Sequence, residues 1–171
     1  MSGNKPLLLD TSFVMDWFEE AIRVYRRDIE KYEKGEFAPT RKIEFLVEAK
    51  HALSTTNIAK SEVFRKLFSE FTANRELCIM VWTEFVRRFF ITELEVKEVD
   101  FNEVAELCLV TPLGKGSIPN LIQLQFAKKE DLPFATGDGA IRENYTKYYE
   151  KICTYIELRQ AYDDEKSQQS S

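Results

Sequence analysis

The chain has 171 residues, of which 44 % are hydrophobic and 31 % charged, and its net charge is −5. This composition excludes collagenous, low-complexity and disordered proteins, and the length suits one domain. Three widely spaced cysteines and a single histidine exclude a disulfide framework, a zinc knuckle and a multi-histidine metal site. Because the net charge is acidic, nucleic-acid binding would need a local basic patch. With no long apolar run and no signal-peptide pattern, we expect a cytoplasmic protein without membrane association.

Short apolar segments alternate along the chain with amphipathic ones, which predicts strands and helices in turn. In chain order the pattern predicts a strand at 5–10, helices at 11–34 and 42–50, a strand at 52–58, helices at 61–71 and 75–90, a strand at 93–99, helices at 102–109 and 120–129, a strand at 132–136, a helix at 139–149 and a strand at 152–158. This order predicts the α/β class, as a three-layer α/β/α sandwich with a mainly parallel sheet. We expect a single domain, 1–160, followed by a polar, disordered tail, 161–171.

Three acidic residues occupy the same kind of position, next to the carboxyl end of a predicted strand. Asp10 ends the first strand, Glu62 opens the helix after the second, and Asp138 follows the strand at 132–136. Ligands bind outside the carboxyl ends of the strands in open α/β sheets, so we expect these carboxylates to converge. Converging carboxylates repel one another, and a divalent cation is the usual resolution. For any single position, a capping or turn role is the competing interpretation.

The segments that contain these acids resemble the motifs of the PIN-domain family of metal-dependent nucleases. The run LLLDTS at 7–12 is similar to the opening motif of the family, and TTNIAKSEV at 55–63 is similar to the second. The segment from Asn120 to Asp138 resembles the third and fourth motifs, with a spacing of 18 residues between its two polar ends. The resemblance spans residues 7 to about 158 and implies a toxin-like member with a single domain.

The resemblance implies an endonuclease that hydrolyses phosphodiester bonds of single-stranded RNA with Mg²⁺ or Mn²⁺. It assigns catalysis to four residues: Asp10, Glu62, Asn120 and Asp138. The three acids among them would bind the metal, and the hydroxyls of Thr11 and Thr136 would orient the carboxylates. The cation would lower the pKa of a water molecule that attacks phosphorus. A protein antitoxin or another regulator, and a second copy of the chain in a homodimer, are the protein partners that the resemblance implies.

Asn120 stands where the family has an acidic residue. Its carbonyl oxygen can bind a metal or a water molecule but adds no negative charge. The alternative function is therefore a non-catalytic PIN-like module that binds RNA or a protein and has a weakened metal site. Lys60, Arg65 and Lys115 are the basic residues considered as contacts to substrate phosphates. A small-molecule enzyme is disfavoured because no glycine-rich cofactor motif follows the first strand.

Overall fold

The central sheet is entirely parallel. The structure, a computed structural model, describes residues 5–34, 43–112 and 117–169. Within these ranges the sheet contains β1 (Leu7–Leu9), β2 (Leu53–Thr56), β3 (Thr92–Leu94), β4 (Phe134–Thr136) and β5 (Ile152–Thr154). The strand order is β3-β2-β1-β4-β5, and each neighbouring pair is parallel. The predicted α/β class with a mainly parallel sheet is confirmed.

Helices cover both faces of this sheet. They are α1 (Thr11–Arg27), α2 (Ile29–Glu33), α3 (Glu44–Glu48), α4 (Asn57–Glu70), α5 (Arg75–Phe89), α6 (Phe101–Cys108), α7 (Ser117–Glu130), α8 (Gly139–Tyr145) and α9 (Tyr155–Gln169). Leu7 and Leu9 pack with residues of α1, α3, α4, α5 and α9, whereas Leu8 packs with residues of α6, α7 and α8. Successive side chains of a strand point to opposite faces, so β1 contributes to both cores and the predicted three layers are confirmed. No helix in the described ranges has the length and apolarity needed to cross a membrane.

Aromatic side chains hold α1 against α5. The rings of Phe18 and Trp82 stack with their centroids 5.6 Å apart, and Trp17 lies 5.2 Å from Phe85. Offset and tilted ring pairs of this kind add about 0.5–1.5 kcal/mol each to the gain from burial. This packing fixes the orientation of α1, whose first turn lies at the carboxyl end of β1.

The direction in which successive strands are added to the sheet reverses at β1. β2 and β3 lie on one side of β1, and β4 and β5 lie on the other. β1 and β4 therefore flank the topological switch point, where open α/β sheets form their ligand-binding crevice. Asp10 directly follows β1 and Asp138 follows β4, so the fold places two of the predicted acids on the two sides of this point.

α4 begins earlier than the sequence predicts. The expected strand at 52–58 ends at Thr56, and the helix begins at Asn57 rather than at Ser61. The cause is a helix cap, since Thr56 Oγ1 accepts a hydrogen bond from the N–H of Ala59 at 3.2 Å. Glu62 therefore lies in the second turn of α4, and the prediction that it opens the helix is wrong.

α7 also begins earlier, at Ser117 rather than at Asn120, so Asn120 does not open its helix. Pro119 fits the first turn because the N–H groups there have no intrahelical partner to lose. α8 is shorter than predicted and ends at Tyr145 instead of near residue 149.

The predicted strand at 152–158 is wrong beyond residue 154. Thr154 and Glu157 form a capping box, which ends the strand and starts α9 at Tyr155. The N–H of Thr154 donates to the Glu157 carboxylate at 2.8 Å, and the N–H of Glu157 donates to Thr154 Oγ1 at 3.3 Å.

The predicted disorder of the polar tail is wrong for residues 161–169, which belong to α9. Tyr162 anchors this part of the helix, since it is buried, its ring lies 5.8 Å from that of Phe45, and its hydroxyl donates to Glu48. Arg159 and Asp163 form an ion pair one turn apart and support the exposed face.

Candidate functional site

Asp10 lies at the centre of the candidate site, where β1 ends and α1 begins. Its side chain is completely buried, and it caps α1 by accepting the N–H of Phe13 at 2.7 Å. The hydroxyl of Ser12 donates to the same oxygen, Oδ1, at 2.7 Å. The hydroxyl of Thr136, at the end of β4, donates to the other oxygen, Oδ2, at 2.6 Å. These donors hold the carboxylate in one orientation across the switch point.

The electrostatics of Asp10 are unfavourable for its charged form. Burial raises the pKa of Asp10 from 3.8 to about 6, and the hydrogen bonds from Thr136 and Ser12 act in the opposite direction. Among the described residues no cationic side chain pairs with it or shifts its pKa. A buried carboxylate without a positive partner costs free energy when it ionises, so this position would be stabilised by a bound cation.

Thr136 connects Asp10 with Asp138. Its hydroxyl donates to Asp10, and its oxygen accepts the N–H of Asp138 at 3.0 Å. Asp138 caps α8, because its Oδ1 accepts the N–H of Ala140 at 2.9 Å. The backbone of Asp138 is therefore two hydrogen bonds away from the Asp10 carboxylate.

Gly137 permits the close approach of β4 to the first turn of α1. Its N–H donates to Ser12 Oγ at 3.0 Å. A Cβ atom at this position would lie 3.0 Å from the backbone oxygen of Ser12, which is tighter than nine in ten contacts that real Cβ atoms make. Any other residue in the middle of the Thr-Gly-Asp sequence would therefore require the first turn of α1 to shift by a few tenths of an ångström.

Glu62 joins the site from α4 through a chain of buried polar groups. The hydroxyl of Thr11 donates to Glu62 Oε2. Thr11 Oγ1 in turn accepts from Gln123 Nε2 at 3.0 Å, and Gln123 Oε1 accepts from Thr56 Oγ1 at 3.0 Å. Sequence reasoning missed Gln123, although a glutamine within the apolar pattern of a predicted helix was a visible signal.

Asn120 lies one turn before Gln123 on the same face of α7, because helical residues three apart are neighbours. Its side chain is only 8 % exposed. Among the described residues, Oδ1 of Asn120 has no hydrogen-bond partner. An unsatisfied buried carbonyl costs about 1–3 kcal/mol, so this oxygen is an open acceptor for a water molecule or a ligand.

The acids share one edge of the sheet but do not form a cluster. In the described part of the chain, no three Asp, Glu, His or Cys side chains lie close enough together to hold a metal ion. Asp10 is enclosed by hydroxyl donors, Glu62 faces Thr11, and the side chain of Asp138 faces the first turn of α8. The donor set nevertheless consists of carboxylates and an amide carbonyl, the oxygen ligands that hard divalent cations prefer. The donor atoms are of the type that Mg²⁺ and Mn²⁺ prefer, but the described side chains are not gathered around one point.

The basic residues considered as substrate contacts lie in different surroundings. Lys60 donates to Glu93 at 2.6 Å and lies over the ring of Trp82, so it is engaged in the fold. Arg65 lines a cavity of about 410 Å³ between α4 and α5 and forms no ion pair with the described residues. Lys115 lies outside the described residues.

Each hydroxyl that the resemblance singles out donates to a carboxylate, Thr11 to Glu62 and Thr136 to Asp10. The structure therefore holds these carboxylates in fixed orientations at the carboxyl edge of the sheet.

Comparison with protein-family models, curated proteins and solved structures finds no match to this chain.

Proposed function

We propose that this protein is a divalent-metal-dependent endoribonuclease whose catalytic site is the carboxyl edge of β1 and β4. The observation that carries the proposal is Asp10, a fully buried carboxylate at the switch point with no cationic partner among the described residues. The open carbonyl of Asn120 on the neighbouring helix supports it. Single-stranded RNA is the substrate class that the resemblance of the motifs to the PIN family suggests.

The residues of the proposed site would have different roles in metal binding and in orienting the ligands. Asp10, Glu62 and Asp138 would bind the cation, and Asn120 would contribute its carbonyl oxygen. Mg²⁺ or Mn²⁺, when bound, supplies positive charge against the phosphate and lowers the pKa of a water molecule toward neutrality. Thr136, which holds Asp10 with a hydrogen bond of 2.6 Å, would keep that carboxylate oriented for binding.

A non-catalytic module that binds RNA or a protein is the second candidate function. Two observations favour it. The described residues contain no cluster of three potential ligands, and Asn120 brings no negative charge to the site. Such a module would bind RNA equally well with a chelator or with Mn²⁺, and it would leave the RNA intact.

We expect Mn²⁺ to stabilise the protein and to activate RNA cleavage. A cation that binds only the folded state at a hundred times its dissociation constant adds about 2.7 kcal/mol to the free energy of unfolding. For a chain of this length, this corresponds to a rise in melting temperature of about 5–10 °C. The measurement is a thermal melt of chelator-treated protein with increasing Mn²⁺, together with a cleavage assay on a pool of single-stranded and structured RNAs.

Calcium provides the control for nonspecific ionic effects, because it also binds oxygen ligands but prefers longer bonds and more ligands than Mn²⁺ or Mg²⁺. The second test is made at 10 mM Mn²⁺, about ten times the dissociation constant of the weakest protein cation sites. An unchanged melting temperature together with intact RNA at this concentration would reject the nuclease and favour the non-catalytic binding module. RNA cleavage that persists in the chelator would reject the metal dependence.

The Asn120→Asp substitution is expected to tighten Mn²⁺ binding and to lower stability without metal. Two unit charges about 4 Å apart interact by about 4 kcal/mol at an effective dielectric constant of about 20, before solvation and salt reduce this. We therefore expect Mn²⁺ affinity to increase about tenfold, measured by isothermal titration calorimetry. In a chelator, repulsion among the carboxylates should lower the melting temperature.

Asn74→Asp is the matched control, because it adds the same charge at the far end of α4. Asn74 caps α5 through its side-chain oxygen, a role that aspartate performs equally well. It follows the end of α4, a helix of 14 residues that spans about 21 Å. Equal Mn²⁺ affinities for Asn120→Asp and Asn74→Asp would mean that position 120 does not face the metal site.

A further inference from the structure

We infer that Gln123 is a positioning residue for Glu62, and that it acts by directing the hydroxyl proton of Thr11 toward the Glu62 carboxylate. The inference rests on the proposed function, because the purpose of a fixed Glu62 is metal binding. It concerns a residue in the middle of α7 to which the resemblance of the motifs assigns no role.

The geometry forms a single line of hydrogen bonds that all run in one direction. Thr56 donates to Gln123 at 3.0 Å, Gln123 donates to Thr11 at 3.0 Å, and Thr11 donates to Glu62. A threonine hydroxyl has one proton and can donate only once. Since the Gln123 N–H occupies a lone pair of Thr11 Oγ1, the proton of Thr11 is left for Glu62.

The burial of Gln123 indicates that this bond has a specific purpose. Its side chain is polar but completely buried. Its neighbours Leu121 and Leu124 on α7 belong to the apolar core. A buried amide is tolerated only when its donors and acceptor are satisfied. Gln123 satisfies this condition with three partners, the hydroxyls of Thr56 and Thr11 and the backbone oxygen of Pro119 at 3.3 Å.

The same glutamine joins the two elements that determine where Glu62 lies. Thr56 caps the start of α4, the helix that carries Glu62, and Thr11 lies in the first turn of α1 beside Asp10. By bonding both threonines, Gln123 ties α4 to α1 at the carboxyl edge of the sheet. Loss of the amide would free the Thr11 hydroxyl to rotate away from Glu62.

The test replaces Gln123 by methionine, which has nearly the same length but forms none of the three hydrogen bonds of the amide. Groups that orient metal-binding side chains typically change metal affinity by 10- to 100-fold when lost. We expect Gln123→Met to raise the Mn²⁺ dissociation constant, measured by calorimetry, at least tenfold. We also expect it to lower kcat for RNA cleavage and leave KM for RNA unchanged.

Gln125→Met is the matched control, because Gln125 is also a buried glutamine of α7. Its amide bonds to Asp100 and Glu103, which belong to α6 and its cap rather than to the site. This variant should lower the melting temperature but leave Mn²⁺ affinity and kcat within about twofold of the parent, well under the effect of losing an orienting group.

A double-mutant cycle separates positioning from a general loss of packing. If Gln123 acts through Thr11, the tenfold effect of Gln123→Met on Mn²⁺ affinity disappears in a Thr11→Val background. If Gln123→Met does not fold, Gln123→Leu carries the same expectation, because leucine is also uncharged and cannot donate to Thr11.

The outcomes distinguish this inference from the proposed function. A parent protein that binds Mn²⁺ and cleaves RNA, with a Gln123→Met variant of unchanged Mn²⁺ affinity, overturns the positioning role alone. The positioning role is also overturned if Gln123→Met lowers Mn²⁺ affinity as much in the Thr11→Val background as it does in the parent protein. A parent protein that neither binds Mn²⁺ nor cleaves RNA overturns the proposed function, and the positioning role falls with it.

Discussion

Asp10→Asn and Glu62→Gln are expected to lower Mn²⁺-dependent RNA cleavage at least about a hundredfold, which corresponds to about 2.7 kcal/mol of activation free energy. Each substitution exchanges a carboxylate for an amide of almost the same shape and removes one negative charge from the proposed metal site. Asparagine caps helices as well as aspartate does, so residue 10 should still cap α1 and the helix should still begin at Thr11. The loss of activity would therefore reflect chemistry rather than unfolding.

Cleavage rates at saturating RNA, with circular dichroism spectra of each variant, provide the measurement. Asp16→Asn on α1 and Glu76→Gln on α5 make the same chemical changes at exposed positions and should leave the rate unchanged. A Glu62→Gln variant that cleaves RNA at the parent rate would exclude Glu62 from the site. The hydrogen bond from Thr11 to Glu62 would then serve only to join α1 to α4.

In the absence of metal, Asp10 is expected to stabilise the protein more at pH 4 than at pH 7. Burial raises its folded-state pKa from 3.8 to about 6, so the folded protein holds this proton more tightly than the unfolded chain. Between these pKa values the folded state binds more protons, and its stability falls as the pH rises. The shift of about two units corresponds to about 3 kcal/mol in total, of which about 2 kcal/mol is lost between pH 4 and pH 7.

The comparison with Asp10→Asn isolates this contribution, because an amide does not titrate. Acids such as Asp131 and Glu70, whose pKa values are lowered mainly by hydrogen bonds from lysines, lose stabilisation at low pH equally in both proteins. The free energy of unfolding, measured with urea in a chelator, should therefore change relative to Asp10→Asn by about 2 kcal/mol across this range. A constant difference from pH 4 to pH 7 would mean that water reaches the Asp10 carboxylate.

The central strand β1 could be predicted from the sequence because it is buried on both faces and reads as a continuous apolar run. Leu7, Leu8 and Leu9 illustrate this, since their side chains enter two different cores. The ends of the elements were harder to predict because side-chain caps determine them. Thr154 and Glu157 form a capping box whose spacing was visible, whereas Thr56 lies in a β-branched segment that resembles a continuing strand.

The location of the acids at one edge of the sheet could also be predicted, since each follows a strand and the carboxyl ends of parallel strands lie at the same edge. The hydrogen bonds within the candidate site could not be predicted. The hydrogen bonds that join Thr56, Gln123, Thr11 and Glu62 connect β2, α7, α1 and α4, and nothing in the spacing of these residues along the chain reveals which hydroxyl meets which amide. The separation of the acids was equally hidden, because it depends on which way each carboxylate turns at its helix cap.

The hydrogen bond between Thr136 and Asp10 has a consequence for the newly made protein, because it joins residues 126 positions apart. β1 lies between β2 and β4, so the sheet is incomplete around Asp10 until β4 has left the ribosome. At synthesis rates of about 5–20 residues per second, roughly 6–25 s pass between the translation of these two residues. During this interval the Asp10 carboxylate lacks the hydroxyl donor of Thr136, so the candidate site is incomplete.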